Sequence, residues 1–295
     1  MAASFSQDSD SHTSAASNAI AHNATAHRVK SGDAEIAYWV LGDGPAVVLL
    51  HPFPVNHEFW FPIAGVLAAR YRLLLPDLRG HGASAVGEGA ATMERHASDI
   101  ARVMDDAEVG RAAMVGVSIG GYALFEFWRR YRGRVASLVL CNTKASADGA
   151  EARAGRLAAA NDVIERGTET FFQGMVLKVL GRSTRESRPD LVEGALRMMR
   201  VASAQGVAQV QRGMADRADS VNTLKTIDVP TLLITGDEDL MTGVNEAEAM
   251  RRHIAGSRMA VIGKAGHYSP WERPEEVGRV LRQFLDLTPG VRGGV

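Results

Sequence analysis

The 295-residue sequence holds a single cysteine, Cys141, which excludes an internal disulfide. That residue closes the apolar run Val135 to Leu140, so a buried strand thiol is expected there and not a nucleophile. No apolar run approaches the roughly 20 residues that span a bilayer. The first residues show neither the basic n-region nor the apolar h-region of a secretory signal. Charge of one sign is lacking too: 33 Lys and Arg stand among 34 Asp and Glu, a net charge of −1. Such a balance argues against a nucleic-acid or anionic-membrane partner. No phosphate loop, zinc spacing or flavin signature occurs, so neither a metal nor a cofactor is expected. The combined expectation is a soluble, cytoplasmic protein whose partner is a small molecule; monomer and homo-oligomer stay equally open.

What is present suffices for one large core, because 46% of the residues are hydrophobic. Residues 1–27, rich in Ser, Ala, Asn, Asp and His and without apolar period, read as a disordered tail. Its His12, His22 and His27 are too widely spaced for a metal set. Residues 289–295 read as a frayed end. Arg28 to Lys30 and Glu35 to Leu41 flank Ser31-Gly32-Asp33, which predicts an opening hairpin. Strand-like runs then alternate with helix-like stretches at His57 to Ala69, Met93 to Ala107, Ser118 to Tyr131, Asn245 to Ile254 and Pro274 to Leu285, the order of a mostly parallel sheet covered by helices. Between Thr143 and Ile227 the composition shifts to Ala, Arg, Met and Gln. Start signals stand at Thr168 and at Ser187-Arg188-Pro189-Asp190, and stops at Gly167 and Gly206. A helical cap of about four segments, residues 144–226, is therefore expected inside a core of 28–143 and 227–288.

Gly116-Val117-Ser118-Ile119-Gly120-Gly121 lies between the apolar run Ala112 to Val115 and the helix-like stretch Tyr122 to Tyr131. A G-x-S-x-G that follows a strand and opens a helix is the pattern of a nucleophile elbow, a tight turn that lifts a serine hydroxyl clear of a sheet. Ser118 is thus the candidate nucleophile. A side chain at 116 or 120 should collide with backbone, and Gly121 should let the helix pack closely. A dinucleotide-binding turn, the competing reading, needs glycine where Ser118 stands.

Four further motifs follow strand-like runs. Ala46 to Leu50 leads to His51-Pro52-Phe53-Pro54, and Arg72 to Leu75 to Pro76-Asp77-Leu78-Arg79-Gly80-His81-Gly82-Ala83-Ser84. Thr231 to Ile234 leads to Thr235-Gly236-Asp237-Glu238-Asp239, and Met259 to Ile262 to Gly266-His267-Tyr268 with Glu272-Arg273-Pro274 beyond. With these five motifs the chain resembles, over roughly residues 28 to 287, the α/β-hydrolase superfamily in its capped serine esterase and 3-oxoadipate enol-lactonase-like branch.

The resemblance implies an α/β-hydrolase fold, a mostly parallel eight-stranded sheet flanked by helices with an inserted helical cap, and a triad in the order Ser, Asp, His. A serine hydroxyl needs a base, and imidazole titrates in the right range; His267, on the loop after the last strand, takes that place. The family's G-x-x-D spacing selects Asp239, with Asp237 as the alternative, while Asp237 or Glu238 serves the turn or the next helix. The preceding strand ends in Cys141-Asn142-Thr143-Lys144 and offers no acid. The oxyanion donors implied are the N–H groups of Ile119 and Phe53, since Pro52 and Pro54 have none. His51 is expected to hold its loop by a side-chain hydrogen bond. Asp77, Arg79 and His81 belong to a structural loop, and His57, His96 and His253 are packing or solvated residues.

Ser118 argues against dehalogenase and epoxide hydrolase chemistry, which need a carboxylate nucleophile. Hydrolysis of small carboxylic esters or lactones through an acyl-enzyme is the leading expectation. Carbon–carbon bond hydrolysis, perhydrolase or cofactor-free haloperoxidase behaviour on the same triad, and a hydrolase-fold ligand receptor are the alternatives. Phe53, Trp60, Tyr122, Phe171, Phe172, Met175 and Tyr268 are candidates for an apolar pocket. The cap arginines Arg153, Arg182 and Arg197, interspersed with Glu151, Glu186 and Glu193, read as a solvated face and not as a site for an anion.

Overall fold

The computed structural model describes residues 23–288. The rest of the expected tail, with His12 and His22, and the end segment 289–295 lie outside the described residues. Eight strands form one sheet: β1 (Thr25–Ser31), β2 (Ala34–Leu41), β3 (Ala46–Leu50), β4 (Arg72–Pro76), β5 (Ala112–Val117), β6 (Val135–Cys141), β7 (Thr231–Gly236) and β8 (Arg258–Ile262). Their spatial order is β1-β2-β4-β3-β5-β6-β7-β8. The first two pairings, β1 with β2 and β2 with β4, are antiparallel and the remainder parallel. The opening hairpin begins earlier than expected: β1 pairs Thr25 with Val40, and His27 stacks on Tyr38, so residues 25–27 belong to the sheet and not to a tail.

Burial explains why the strand motifs are so legible. Every residue of β5, β6 and β7 is buried, because helices cover both faces of a parallel sheet and each strand must be apolar on both sides. The edge strand β1 is largely exposed and correspondingly polar, while the other edge strand, β8, is only partly covered yet keeps the apolar run Met259 to Ile262. The chain runs from β3 outward to β4 and returns to place β5 on the other side of β3. That reversal opens a crevice at the carboxyl ends of β3 and β5, where an open α/β sheet takes its ligands. Both His51-Pro52-Phe53-Pro54 and Ser118 emerge there.

The helices that cover the sheet are α1 (Phe61–Ala68), entered through a 3₁₀ turn at His57–Trp60, α2 (Met93–Asp106) and α3 (Ile119–Tyr131). Between β6 and β7 come six helices, not four: α4 (Ala150–Arg166), α5 (Glu169–Val179), α6 (Arg182–Ser187), α7 (Pro189–Met199), α8 (Ala204–Ala215) and α9 (Val221–Leu224). Gly167 does end α4, at a φ of +83°. Gly206 stops nothing. It lies in the first turn of α8, where a Cβ would stand 2.2 Å from the Gly80 carbonyl oxygen, so the missing side chain marks a close approach of helix to loop. Ser187 closes α6 and does not cap α7, which starts at Pro189 behind Arg188. Two short-range signals were read as one start because the two helices are separated by a single residue. Three helices complete the chain: α10 (Val244–His253), α11 (Ser269–Glu272) and α12 (Pro274–Leu287). No helix among the described residues is long and apolar enough to cross a membrane.

Candidate active site

The turn from β5 into α3 is built by steric exclusion. A Cβ on Gly116 would come within 2.5 Å of Gly120 backbone, and one on Gly120 within 2.7 Å of the Leu50 carbonyl oxygen. At Gly121 the obstacle is the Thr143 side chain, 2.5 Å away. With no room to widen, the turn holds Ser118 at φ 54°, ψ −113°, a conformation costly for a residue with a side chain. Thr143 Oγ1 donates to the Ser118 carbonyl at 2.8 Å, and Ser118 N–H donates to Cys141, which locks the strained residue between β5 and β6.

Ser118 and His267 line the same cavity of about 200 Å³ at the carboxyl edge of the sheet. His267 is buried, and its Nδ1 stands 2.9 Å from Asp239 Oδ2. The second ring nitrogen, Nε2, is buried and has no hydrogen-bond partner among the described residues. Asp239 is over-coordinated by donors: the N–H groups of Met241 and Thr242 reach Oδ1, while Thr242 Oγ1 and Asn142 Nδ2 reach Oδ2, each of the last two at 2.9 Å. Burial opposes its charge, but the His267 imidazole and these hydrogen bonds hold the carboxyl well below the usual carboxylate range. Asp237 is exposed and, among the described residues, accepts only from Ala265 N–H, at 3.3 Å. Glu238 takes the N–H and hydroxyl of Ser183, which ties the α5–α6 junction to the Asp239 turn. Glu272 adds a second tie, accepting from Gly181 N–H at 2.8 Å and Gly266 N–H at 2.9 Å.

Asn142 and Thr242 were not singled out by the sequence reading. Asn142 occupies the turn where an acid was sought after β6. Its amide reaches across to the acid after β7 and also donates to the Gly266 carbonyl at 3.2 Å, so it braces both Asp239 and the histidine loop. The absence of an acid in Cys141-Asn142-Thr143-Lys144 was the available signal.

Among the described residues no acceptor takes the N–H of Phe53 or of Ile119. Tyr268, buried, donates its hydroxyl to the Phe53 carbonyl at 2.8 Å. His51 fixes the same loop from below: Leu78 N–H donates to its Nε2 at 2.9 Å, and Nδ1 stands 2.9 Å from the Pro52 carbonyl. Burial pushes the His51 imidazole down to about 4, so it is neutral and can accept from Leu78.

Of the pocket candidates, Phe53, Tyr122 and Met175 line the cavity. Three do not. Trp60 is wholly buried against Phe59, Tyr268 spends its hydroxyl on the Phe53 loop, and Phe171 packs edge-on against Phe53 at 6.0 Å. Phe172 is core. Arg182 and Arg197 are exposed and Arg153 pairs with Asp216 on the surface, as expected. The charged residues that do reach the cavity are others: Lys144, Asp148 and Arg156.

The Asp77–Ser84 loop is structural. Asp77 accepts from His57 N–H, lies 2.9 Å from His57 Nδ1 and also accepts from Ala83 N–H, while Arg79 grips Asp99 and Asp33. Behind it His96 is fully buried with neither ring nitrogen hydrogen-bonded among the described residues, and burial pushes it down to about 3. A histidine kept neutral in the fold binds its proton more readily unfolded, where its pKa is near 6.5. Stability is therefore complete above pH 6.5 and falls as the pH drops toward 3, by on the order of 5 kcal/mol at the bottom of that window. His96→Leu should flatten this slope, raising the melting temperature more at pH 5 than at pH 7.5. An equal shift at both pH values would refute the assignment.

Strand order, elbow and histidine loop together define an α/β hydrolase. The family model described as alpha/beta hydrolase fold matches residues 45–274, and the chain belongs to that family. It is 28% identical over 249 residues to 3-oxoadipate enol-lactonase 1 of Acinetobacter baylyi, covering 82% of this chain and 89% of that protein. Among solved structures it resembles a thermophilic esterase from Thermogutta terrifontis, described as malate bound, with a TM-score of 0.86 and 35% identity over 89% of this chain and 98% of the other. It also resembles the enol-lactonase from Burkholderia xenovorans LB400, with a TM-score of 0.83 and 25% identity over 88% of this chain and all of the other.

Proposed function

We propose that the chain is a cofactor-free serine hydrolase that cleaves small carboxylic esters or lactones through an acyl-enzyme. The observation that carries this reading is the His267 ring, with Nδ1 pinned to an ionised Asp239 and Nε2 left unpartnered in the cavity that Ser118 also lines. In that arrangement Nδ1 carries the ring proton and Nε2 is free to take one. Ser118 Oγ attacks the substrate carbonyl as its proton passes to Nε2, and the resulting oxyanion is received by the free N–H groups of Ile119 and Phe53. The imidazolium returns the proton to the departing alkoxide, and water repeats the sequence on the acyl-enzyme. Helices of residues 150–224 act as the cap. Met175, Val179 and Met214 supply an apolar wall opposite the serine, and the cavity of about 200 Å³ limits the substrate to a small molecule. Resemblance to an esterase and to enol-lactonases supports the same class.

A panel of short and long p-nitrophenyl esters, small lactones and vinylogous diketones tests the reading. Sustained turnover of short-acyl esters or lactones is the expected result, with kcat/KM falling as the acyl chain outgrows the cavity. Turnover confined to the diketones selects carbon–carbon hydrolysis. A single turnover, with ligand-dependent binding of another protein, selects a receptor.

A further inference from the structure

The cavity has a second end that the ester chemistry does not use. Lys144, on the segment after β6, and Arg156, on α4, both line it, and between them sits one buried carboxylate, Asp148. Arg217, outside the cavity, lies 2.7 Å from Asp148 Oδ2 and is itself only 3% exposed, so with Arg156, whose Nε stands 2.5 Å from the same oxygen, it already more than neutralises that acid. Its other donors go to the Ser146 and Met214 carbonyls, and its guanidinium covers the Tyr122 ring at 4.3 Å. Arg156 approaches Asp148 with Nε and uses Nη1 on Gln211 and Met214. Its Nη2 has no partner among the described residues. Lys144 Nζ comes no closer to Asp148 than 3.5 Å and makes no hydrogen bond there.

Three cations thus share one carboxylate, and the two that face the cavity are about four-fifths buried. Removing cations from water without matching charge is unfavourable, and a purely structural ion cluster would be compensated. Both residues line the space that Ser118 shares. Tyr122, one helical turn from Ser118, lines the same space, and its hydroxyl makes no hydrogen bond among the described residues. Resting on the serine-hydrolase reading, we infer that Lys144 and Arg156 form an anion subsite, and that the substrate is an ester or lactone bearing a free carboxylate. The planar guanidinium edge and the adjacent ammonium suit the two oxygens of a carboxylate. Asp148 is the positioning residue: through Arg217 and Arg156 it draws α4 and the segment after β6 together and aims the cations inward.

The test compares monomethyl glutarate, which carries the charge, with dimethyl glutarate, which does not, by pH-stat at low ionic strength. The expected result is a kcat/KM at least about tenfold higher for the monoanion, arising mainly in KM. Lys144→Met should lower that ratio severalfold, and Lys144→Met with Arg156→Met should abolish it, circular dichroism and melting temperature being checked on each variant. A ratio near one in the wild type, or one that the variants leave unchanged, overturns the subsite. Lys144→Met alone touches only a 3.5 Å contact, so the test survives if the double variant misfolds. Calorimetric titration of glutarate into the wild type and Lys144→Met separates this inference from the one beneath it. If neither ester is turned over, the hydrolase reading fails, and binding of glutarate that weakens in Lys144→Met still upholds the anion site; no binding to the wild type refutes it.

Discussion

Ser118→Ala is expected to reduce kcat on any ester the wild type accepts by on the order of a millionfold, leaving a residual acceleration of roughly a thousandfold over water from binding and the oxyanion donors. The size follows from the loss of the atom that, on the proposed mechanism, forms the acyl bond. The fold should survive, since the Ser118 side chain makes no hydrogen bond that holds the turn, whereas its backbone does. A fluorophosphonate probe gives an independent readout: the wild-type mass should rise by one phosphonyl group, and Ser118→Ala should stay unmodified. Labelling of the variant, or retention of more than a few per cent of the rate, would move the nucleophile elsewhere.

Asp239→Asn carries the second largest effect, a loss of about 10⁴ in kcat with KM little changed. All five neighbours of this carboxylate are donors or present a donor to it. If the asparagine oxygen stays with the Met241 and Thr242 amides, its NH₂ faces His267 Nδ1 and demands an acceptor there. The ring proton then moves to Nε2, which becomes a donor and can no longer receive the serine proton. The same NH₂ meets the Asn142 amide, so some stability should be lost as well. Asp237→Asn, at an exposed position with one long contact, should stay within about twofold of wild type, the surface-substitution range. The reverse order of the two variants would place the orienting acid at Asp237.

Much of the architecture was legible because parallel strands buried on both faces appear as unbroken apolar runs, and β3 through β7 were each announced that way. The elbow was legible for a different reason. Gly116, Gly120 and Gly121 are each excluded from carrying a side chain by a specific neighbour, so the turn writes itself into the sequence as glycine. Helix boundaries in the 144–226 segment were less readable. Gly206 and Ser187 look like punctuation, and the contacts that gave them other roles, the Gly80 backbone and the end of α6, come from packing.

The aromatic pocket shows where sequence reasoning stops. Trp60, Phe171 and Tyr268 are suitable lining residues by type, but side-chain direction is set by which helix covers which strand, and the three pack on Phe59 or on the Phe53 loop and do not line the cavity. The converse error concerned charge. Arginines on α4, α6 and α7 looked alike in sequence, and only the placement of α4 and α8 over the sheet distinguishes Arg153, on the surface, from Arg156, in the cavity.

By itself the sequence determined the succession of strands and helices along the chain and the glycine-built turn at Ser118, and it pointed to His267 and Asp239 on later loops, because local steric and apolar demands leave a signature at each position; the order of the strands across the sheet came from the structure. The tertiary structure alone decided that Asn142 and Thr242 complete the coordination of Asp239, that Glu238 and Glu272 tie the inserted helices to the Asp239 turn and the His267 loop, and that Lys144 and Arg156 line the cavity that Ser118 lines. Those pairings join residues far apart in the chain. Their energies depend on distance and on burial, neither of which a single sequence specifies.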